Sequence, residues 1–404
     1  MSTGTGKTPG PLAGLRVIEM GTLLAGPFCG QLLGDFGAEI IKIEPPGQGD
    51  PMRDWGREKA HGMSLWWPVI ARNKKSVTLN LREAEGQAIA RSLIGQADFL
   101  LENFRPGTME KWGLGYEQLR QSHPGLIMIR VSGYGQTGPY AKRAGFGAVG
   151  EAMGGLRYVC GDPSTPPSRM GISIGDSLAA TFACIGALAA LHHREKTGQG
   201  QIVDSAIYEA VLNMMESLIT EYDKAGYIRE RTGAILPNVA PSNVYPTSDK
   251  QFILIAANQD TVFRRLAETM GKPELATDPR YASHSSRGAH QKELDDLIAE
   301  WTRTITSDQL EKLMEESGIP SGRIYRTPEM LEDAHFKARQ AIISVVHPRF
   351  GELKMQNVAP KLSSTPGTIR SPAPDLGEHN QEVYRKLLGF SEERMAELQN
   401  AGII

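Results

Sequence analysis

The sequence predicts an α/β fold, with a large domain built on an open parallel sheet and a second, smaller α+β domain. Short buried strands alternate with helices in the first half of the chain, as at Leu15–Met20, Ala25–Phe36 and Glu39–Glu44. Glycine-rich turns separate these elements, which favours parallel strands joined by helical crossovers. The length of 404 residues exceeds that of one ordinary core, so two domains are expected.

The first elements form a βαβ unit. The loop Gly21–Leu24 joins the first strand to its helix and lacks the GxGxxG pattern of a dinucleotide-binding turn, so the unit is Rossmann-like in topology only. Further strands are predicted at Ser76–Leu81, Phe99–Glu102, Leu126–Ser132 and near Ile202, and helices at Glu83–Gly95, Gly107–Trp112 and Ser205–Asp223. Ligands of such sheets bind at the carboxyl ends of the strands.

The domain boundaries follow changes in the pattern. Residues 1–225 form the predicted large α/β domain, and its first ten residues, rich in Gly, Ser, Thr and Lys, are expected to be disordered. Residues 226–325 are predicted as the small α+β domain, with a strand at Phe252–Ala256 and helices at Thr261–Met270, Gln291–Thr304 and Ser307–Ser317. From Ile342 onward, strand-like and proline-rich segments return.

Composition and charge restrict the class of protein. Hydrophobic residues make up 40% and charged residues 22% of the chain, the profile of a soluble globular protein. The net charge of −2 gives no basis for binding nucleic acid or a membrane surface. The longest apolar run, Leu178–Leu191, is shorter than the roughly 18–20 residues that span a bilayer, and no signal peptide is predicted. We therefore expect a cytoplasmic protein.

The cysteines predict neither disulfides nor a metal site. Cys29, Cys160 and Cys184 are far apart in the chain, odd in number and outside any CxxC or Cys/His ligand spacing. Cys184 lies among apolar residues and is expected to be a small core residue.

The stretch Met170–His193 contains the main candidate for chemistry. Ile172–Ile174 is predicted as the end of a short strand, Gly175 as a turn, and Asp176–Leu191 as a helix that is apolar on nearly every face and therefore buried. Asp176 would then stand at a helix start, beside N–H groups that favour an anion. Aspartate at this place is most often an N-cap. A capping carboxylate can also be a nucleophile, so the residues alone leave both roles open.

Nine segments in their order along the chain carry a resemblance to a known family. These are Pro11–Gly21, Ala25–Pro27, Leu33–Gly47, Asn73–Ser76, Glu102–Gly107, Gly133–Pro139, Gly175–Ser177, Glu195–Gln201 and Leu376–His379. Together they resemble the class III CoA-transferase family, also called the formyl-CoA transferase or carnitine-CoA transferase (CaiB/BaiF) type. The resemblance covers nearly the whole chain.

The resemblance implies an architecture that periodicity does not. The large domain would be built from both chain ends, with residues 326–404 completing it, and the small domain would be an insertion in the middle. Two such subunits would form an interlocked homodimer, like two links of a chain.

The resemblance also implies that Asp176 is the catalytic nucleophile. A carboxylate can attack a thioester carbonyl to give a mixed anhydride, and the released thiolate can re-attack to leave an aspartyl-CoA thioester. The donor would be an acyl-CoA such as succinyl-CoA, and the acceptor a carboxylic or dicarboxylic acid. No permanently bound cofactor and no metal are implied, because the coenzyme A thioester is itself the substrate.

The CoA contacts implied by the resemblance lie in the first loop, after the Asn-Lys element and at the Asn-Phe pair. The matching residues are Leu24, Ala25, Lys75, Asn103 and Phe104, followed by Lys111 and, with less support, Arg143. Phosphates favour cations, and adenine favours a flat apolar surface. A single basic residue taken alone is more often part of a solvated face.

Two alternatives remain at this stage. An α-methylacyl-CoA racemase of the same superfamily would need a histidine opposite the aspartate, but Phe146 and Gly147 stand in that segment. The same two residues replace the aromatic-and-acid pair of formyl-CoA enzymes, which makes formyl-CoA and oxalate poor candidate substrates. A non-catalytic acyl-CoA-binding protein would keep the fold and lose the carboxylate of Asp176.

The reaction type can be tested directly. Because Phe146 occupies the position of the racemase histidine, we expect exchange of CoA between acids and no exchange of an α-proton. Incubation with a 2-methylacyl-CoA in deuterium oxide should leave C2 unlabelled in mass spectrometry. Rapid deuterium uptake at C2 would contradict this expectation.

Overall fold

The structure of the protein is a computed structural model, which describes residues 10–404. The disorder predicted for the first ten residues therefore lies outside the described residues, apart from Gly10. The strands are β1 (Arg16–Glu19), β2 (Glu39–Glu44), β3 (Lys59–Ala60), β4 (Met63–Ser64), β5 (Lys74–Thr78), β6 (Phe99–Glu102), β7 (Ile127–Ser132), β8 (Ile202–Ala206), β9 (Ser242–Pro246), β10 (Phe252–Ala256), β11 (Ser321–Arg323), β12 (Ile342–His347) and β13 (Gly351–Gln356).

Helices connect and cover these strands. They are α1 (Ala25–Asp35), α2 (Trp67–Ile70), α3 (Ala84–Ile94), α4 (Thr108–Lys111), α5 (Tyr116–Leu119), α6 (Gly147–Met153), α7 (Leu156–Val159), α8 (Ile174–Thr197), α9 (Ile207–Asn213), α10 (Leu218–Ala225), α11 (Asp260–Thr269), α12 (His284–Ala289), α13 (Gln291–Thr302), α14 (Ser307–Glu316), α15 (Thr327–Glu332), α16 (Ala334–Ala338) and α17 (Glu392–Asn400). Short 3₁₀ turns lie at Pro51–Arg53 and Pro273–Ala276, and a π-helix at Gln381–Leu387.

The large unit is organised around a six-stranded sheet in the order β5-β2-β1-β6-β7-β8. Every pairing in this sheet is parallel. The strand order reverses between β1 and β6, and such a reversal opens a crevice at the carboxyl ends of the strands. The predicted α/β fold with an open parallel sheet is confirmed.

One face of this sheet is apolar. Ile18, Ile41 and Val77 belong to a buried hydrophobic cluster that also contains residues of α3 and of the C-terminal segment, such as Tyr384. Alternate residues of a strand point to opposite faces, so the next residue along each strand faces the other way. The hydrophobic effect drives the burial of this apolar face.

The opposite face of the sheet buries charges. Glu19 on β1 accepts hydrogen bonds from Lys42 Nζ on β2 at 3.0 Å and from Lys74 Nζ on β5 at 3.0 and 2.7 Å. Helix α1 comes close to this group because Gly30 has no side chain. A Cβ at Gly30 would overlap Glu19 Oε2 and lie 3.0 Å from its Cδ. Buried charges are tolerated only when they are paired and hydrogen-bonded, as these are.

The C-terminal segment packs on the large unit without adding a strand to the six-stranded sheet. Its strands β12 and β13 pair only with each other in an antiparallel hairpin. Tyr384 OH donates to Thr78 O at 2.7 Å, and Asn80 N donates to Ile403 O at 2.7 Å. Asn73 Nδ2 donates to Thr368 O at 2.9 Å. These bonds join the two ends of the chain in one unit.

The chain divides into two compact units. The large unit contains the chain up to Leu156, Met170–Ile219 and His335–Ile404, and the small unit contains Arg157–Arg169 and Thr220–Ala334. The main segment of the small unit, Thr220–Ala334, extends beyond the predicted small domain, residues 226–325, by six residues at its start and nine at its end. The segment Arg157–Arg169 was not predicted to join the small unit, because nothing in its local pattern indicates its partners.

The small unit has its own core. Strands β9, β10 and β11 form an antiparallel sheet in the order β11-β10-β9. Buried side chains of this sheet and of α11, α13 and α14, among them Tyr245, Phe263 and Ile298, form one hydrophobic cluster.

Helix α8 corrects two predictions and confirms a third. The proposed strand Ile172–Ile174 is absent, since the helix already begins at Ile174. The helix is not buried on every face, because Ile185 and Leu188 are 57% and 41% exposed. Cys184, in contrast, is buried as predicted.

The length of α8 also differs from that of the apolar run that suggested it. Its 24 residues make it long and apolar enough to cross a membrane, by length and composition only. A helix in the core of a soluble protein can be equally long and apolar, so this property is weak evidence for a membrane span. In the large unit α8 packs against α1, α9, β7 and β8.

Two further elements deviate from prediction. Strand β5 begins at Lys74 and ends at Thr78, two or three residues before the predicted Ser76–Leu81. The predicted helix Ser205–Asp223 is divided, because β8 continues to Ala206 and a break separates α9 from α10.

The charged face of the sheet gives a stability test at Glu44. Arg53 donates two hydrogen bonds of 2.7 Å to this carboxylate, and Ser76 Oγ donates one of 2.5 Å. Burial alone would raise the pKa of Glu44, but these bonds and the nearby Lys42 ammonium hold it below its ordinary value of 4.5. The stabilisation is therefore complete above that value and is lost as the pH falls through the lower folded-state pKa.

We expect Glu44→Gln to lower the free energy of unfolding by about 3–5 kcal/mol near neutral pH, since it leaves Arg53 without its buried partner. Urea unfolding should show this difference near pH 7 and a smaller one near pH 3, where the wild-type carboxylate also takes up a proton. Glu58→Gln is the control, because its pair with Arg57 is exposed. An equal difference in unfolding free energy at both pH values would contradict the assignment of this stabilisation to the ionised Glu44 carboxylate.

Candidate active site

Asp176 lies in the first turn of α8, and it is not the N-cap. The N-cap residue is Ser173, whose side chain makes no capping hydrogen bond. The Ser173 carbonyl already accepts the first helical bond from Ser177 N at 3.1 Å. Asp176 is therefore the third helical residue, which excludes the N-cap position as one of the two roles that the residues alone left open. Its place in the positive end of the helix dipole still favours an anion.

The carboxylate of Asp176 occupies space that a side chain would fill at Gly147. A Cβ built on Gly147, the first residue of α6, would overlap Asp176 Oδ2 and lie 2.7 Å from Asp176 Cγ. Any larger residue at position 147 would therefore displace the carboxylate. Gly147 and Asp176 form a matched pair that holds the carboxylate against the backbone of α6.

A second carboxylate supports the same contact between α6 and α8. Glu151, one helical turn after Gly147, is buried, and its Oε1 accepts a hydrogen bond from Gly175 N at 3.3 Å. A Cβ at Gly175 would lie 3.0 Å from Glu151 Cγ, so Gly175 also allows close packing. Sequence reasoning missed Glu151. The available signal was one acidic residue within the apolar segment of α6.

A cavity of about 470 Å³ opens at the carboxyl ends of β1, β2, β5 and β6. Among its lining residues are Thr22, Phe104 and Arg82. The Phe104 ring packs edge-on against Trp112, which also lines the cavity, with ring centroids 5.1 Å apart. The Arg82 side chain is exposed and makes no ion pair with any residue between 10 and 404. The cavity therefore combines a flat aromatic wall with an available cation.

Asn103 joins the two loops that diverge where the strand order reverses. Thr22 N donates to Asn103 Oδ1 at 2.8 Å, and Asn103 Nδ2 donates to Thr22 O at 2.9 Å. A Cβ at Gly26 would lie 3.2 Å from Asn103 Cγ, so the start of α1 packs on the same amide. Leu24 is the N-cap residue of α1 and Ala25 its first residue. The structure thus brings Leu24, Ala25, Asn103 and Phe104 together at this crevice.

Lys75 has a different environment. Its ammonium contacts Glu39 Oε1 at 2.5 Å and Glu382 Oε1 at 2.9 Å, and it does not line the cavity. Burial would lower the pKa of Lys75, but these two carboxylates raise it. Arg82 is the cation at the cavity, and sequence reasoning missed it because it stands seven residues further along the chain. A CoA contact at Lys75 stays a prediction.

The two remaining predicted basic residues lie near a second cavity of about 450 Å³. Lys111 is the last residue of α4. Glu110 of that helix and its N-cap residue Gly107 line this cavity, and so does Lys142. Arg143 instead stacks on the Tyr140 ring, with its guanidinium carbon 3.6 Å from the ring centroid. CoA contacts at Lys111 and Arg143 also stay predictions.

Metal chemistry has no candidate site in the part of the chain that the structure describes. Within residues 10–404, the His, Cys, Asp and Glu side chains form no group of three or more that could hold a metal ion.

Comparisons with known proteins define the class. The model of CoA-transferase family III matches residues 12–380. A succinyl-CoA–D-citramalate CoA-transferase from Chloroflexus aurantiacus is 62% identical over 98% of this chain and 99% of its own length. The alpha subunit of a succinyl-CoA–L-malate CoA-transferase from Chloroflexus aurantiacus is 43% identical over 100% of this chain and 95% of its own length.

Solved structures agree with this result. A CaiB/BaiF family protein from Brucella suis superposes with a TM-score of 0.84 at 33% sequence identity, covering 94% of this chain and all of that chain. The family model and the named relatives define an enzyme that transfers CoA. The chain belongs to CoA-transferase family III.

The contact between Gly147 and Asp176 can be tested by adding one methyl group. Gly147→Ala would push the carboxylate away from α6, and a displacement of about 1 Å at a reacting group lowers kcat by about 100-fold. We expect that loss in a CoA-transfer assay, with an unchanged circular dichroism spectrum. Gly95→Ala is the matched control, because a Cβ there meets only ordinary contacts at 3.5 Å. Full activity of Gly147→Ala would contradict the inference that activity depends on the position of the Asp176 carboxylate against α6.

Proposed function

We propose that this enzyme transfers CoA from succinyl-CoA to a hydroxylated dicarboxylic acid, with D-citramalate as the favoured acceptor. The 62% identity over nearly the full length to a protein named for that reaction supports this choice. Relatives named for L-malate support the same acceptor class, because malate and citramalate share a four-carbon dicarboxylate bearing a hydroxyl, and citramalate adds a methyl group.

The observation that carries the mechanism is the position of the Asp176 carboxylate against Gly147. One carboxylate oxygen attacks the thioester carbonyl of succinyl-CoA, and the C–S bond breaks to give an aspartyl-succinyl anhydride and CoA thiolate. The thiolate attacks the aspartyl carbonyl and releases succinate. The acceptor carboxylate then attacks the aspartyl-CoA thioester, and the C–S bond breaks to give a new mixed anhydride and CoA thiolate. The thiolate attacks the acceptor carbonyl of this anhydride, and the C–O bond to Asp176 breaks, which restores its carboxylate.

Each of these steps passes through a tetrahedral oxyanion. Hydrogen-bond donors aimed at such an oxyanion lower the barrier. Gly175 N and Ser177 N are already bonded to Glu151 and to Ser173 O, so the contribution of the first turn of α8 is the positive end of a 24-residue helix.

The 470 Å³ cavity is the proposed site of the CoA nucleotide. Phe104 and Trp112 offer an aromatic surface to adenine, and Arg82 offers a cation to a phosphate. The Asn103 amide holds the neighbouring loop in place from the other side of the crevice. Lys142 offers a further cation along the second cavity, and a phosphate contact at Lys111, next to the cavity residue Glu110, stays part of the proposal.

The interlocked homodimer and the cytoplasmic location are also part of the proposal. The exposed apolar side chains of α8, Ile185 and Leu188, support a partner on that helix face, since exposed apolar patches commonly mark interfaces.

The proposed reaction predicts the behaviour of two variants. Wild-type enzyme with succinyl-CoA and D-citramalate should form a new CoA thioester, detected by mass spectrometry. Asp176→Asn and Asp176→Ala should both lose turnover, since neither side chain has a nucleophilic carboxylate oxygen. A far-ultraviolet circular dichroism spectrum like that of the wild type would show that the loss of turnover does not come from loss of the fold.

Trapping with hydroxylamine detects the covalent intermediate on Asp176 independently of turnover. Wild-type enzyme incubated with succinyl-CoA and then hydroxylamine should carry a modification on the peptide that contains Asp176. An active Asp176→Asn enzyme, shown by mass spectrometry to be free of deamidation, would overturn the mechanism. Formation of no thioester from D-citramalate, with L-malate active, would overturn the acceptor assignment only.

A further inference from the structure

The loop Gly21–Leu24, between β1 and α1, has its backbone groups held by side chains from other elements. Lys42 Nζ donates to Gly21 O at 2.7 Å. Both backbone groups of Thr22 bond the Asn103 amide. Leu23 N donates to Asp50 Oδ1 at 3.0 Å. Four successive backbone groups are therefore satisfied by three side chains from distant parts of the chain.

Two of these side chains form a buried ion pair. Lys42 Nζ lies 2.8 Å from Asp50 Oδ2, and both side chains are 1% exposed. Burial alone would raise the pKa of Asp50, but the Lys42 ammonium lowers it. Burial would lower the pKa of Lys42, and Asp50 and Glu19 raise it. Both groups are therefore charged near neutral pH.

The pair is itself fixed at both ends. Lys42 is also bonded to Glu19 on β1. The backbone N–H of Asp50 donates to Glu44 Oε2 at 2.9 Å, and Asp50 Oδ1 accepts from Met52 N at 2.9 Å. Neither charge can therefore move without breaking other buried bonds.

The loop needs such support because of Leu23. This residue has a φ of +63°, a conformation that leucine rarely adopts. Residues in such regions keep their conformation only where the surroundings enforce it. The bond from Leu23 N to Asp50 is a local contact that can supply this enforcement.

We propose that Lys42 and Asp50 are positioning residues that hold the loop Gly21–Leu24 in its CoA-binding shape before the substrate arrives. The loop borders the 470 Å³ cavity through Thr22, and Met20 before it also lines the cavity. The inference rests on the proposed function, in which that cavity takes CoA. A preformed loop lowers the ordering cost of binding, so its loss weakens affinity for CoA more than it slows the chemistry.

A second buried ion pair in the same unit provides a matched control. Arg72 Nη2 lies 2.6 Å from Asp35 Oδ2, and both side chains are 2% exposed. Asp35 also accepts from Asn73 Nδ2 at 2.7 Å. This pair supports the C-terminal segment and makes no contact with the loop. Replacing either aspartate removes one buried charge, but only Asp50 touches the loop.

The test compares Asp50→Asn with Asp35→Asn. An asparagine at 50 has only one acceptor oxygen. That oxygen either faces Lys42 and leaves Leu23 N without an acceptor, or stays with Leu23 N and turns the side-chain NH2 towards the Lys42 ammonium, so the support of the loop is weakened in both orientations. We expect Asp50→Asn to raise KM for succinyl-CoA about tenfold, equivalent to about 1.4 kcal/mol, with kcat within threefold and KM for the acceptor unchanged. Asp35→Asn should lower the thermal midpoint comparably and leave KM for succinyl-CoA within twofold. An unchanged KM in Asp50→Asn, or an equal rise in Asp35→Asn, would overturn the proposal.

Hydrogen exchange measures the loop independently of turnover and without a variant. In wild-type enzyme free of CoA, mass spectrometry should find slow exchange in peptides covering Gly21–Leu24, close to the rate with CoA bound. Fast exchange that becomes slow only on adding CoA would overturn the proposal even if Asp50→Asn does not fold. If wild-type enzyme transfers no CoA from succinyl-CoA, the proposed function fails, while exchange in this loop still decides between a preformed and an induced shape.

Discussion

The buried carboxylate of Glu19, bonded to the ammonium groups of Lys42 and Lys74, is the constraint on which the large unit depends. It joins three adjacent strands on one face of the sheet, and removal of Glu19 would leave the buried Lys74 ammonium without its carboxylate partner. The same lysines reach past the sheet to Gly21 O and Pro27 O, so they also fix the first loop and the start of α1. One charge network therefore determines both the sheet and the loop beside the proposed CoA cavity.

The sequence predicted the strands well where their apolar residues mark them, and less well where buried charges on the other face of the sheet interrupt the apolar pattern. Strands β2 and β6 were predicted with correct bounds because their apolar residues lie between clear turn signals. Strand β5 was shifted because it begins with two lysines, which look like a solvated loop. Lys74 is buried in the strand only because Glu19 lies opposite, and that pairing joins residues far apart in the chain.

The candidate site shows the same limit. Asp176 was a candidate because of its predicted place at a helix start, and a resemblance assigned it the role of nucleophile. The reason for its position is the missing side chain at Gly147, which is a contact between residues 29 positions apart on two helices. Gly147 stood out in the sequence only as a departure from formyl-CoA enzymes. The start of α8 was placed two residues late because Gly175 was interpreted as a turn, when its small size serves to bring Glu151 close.

The charged face of the sheet has a further consequence for the conditions under which the enzyme stays folded. Dissolved salt screens charges that face water, but Glu19, Lys42 and Lys74 are all buried, so ionic strength has little access to their interaction. The penalty for dehydrating charged groups falls as temperature rises. The network therefore becomes relatively more favourable on heating, while the apolar face opposite follows the ordinary hydrophobic temperature dependence.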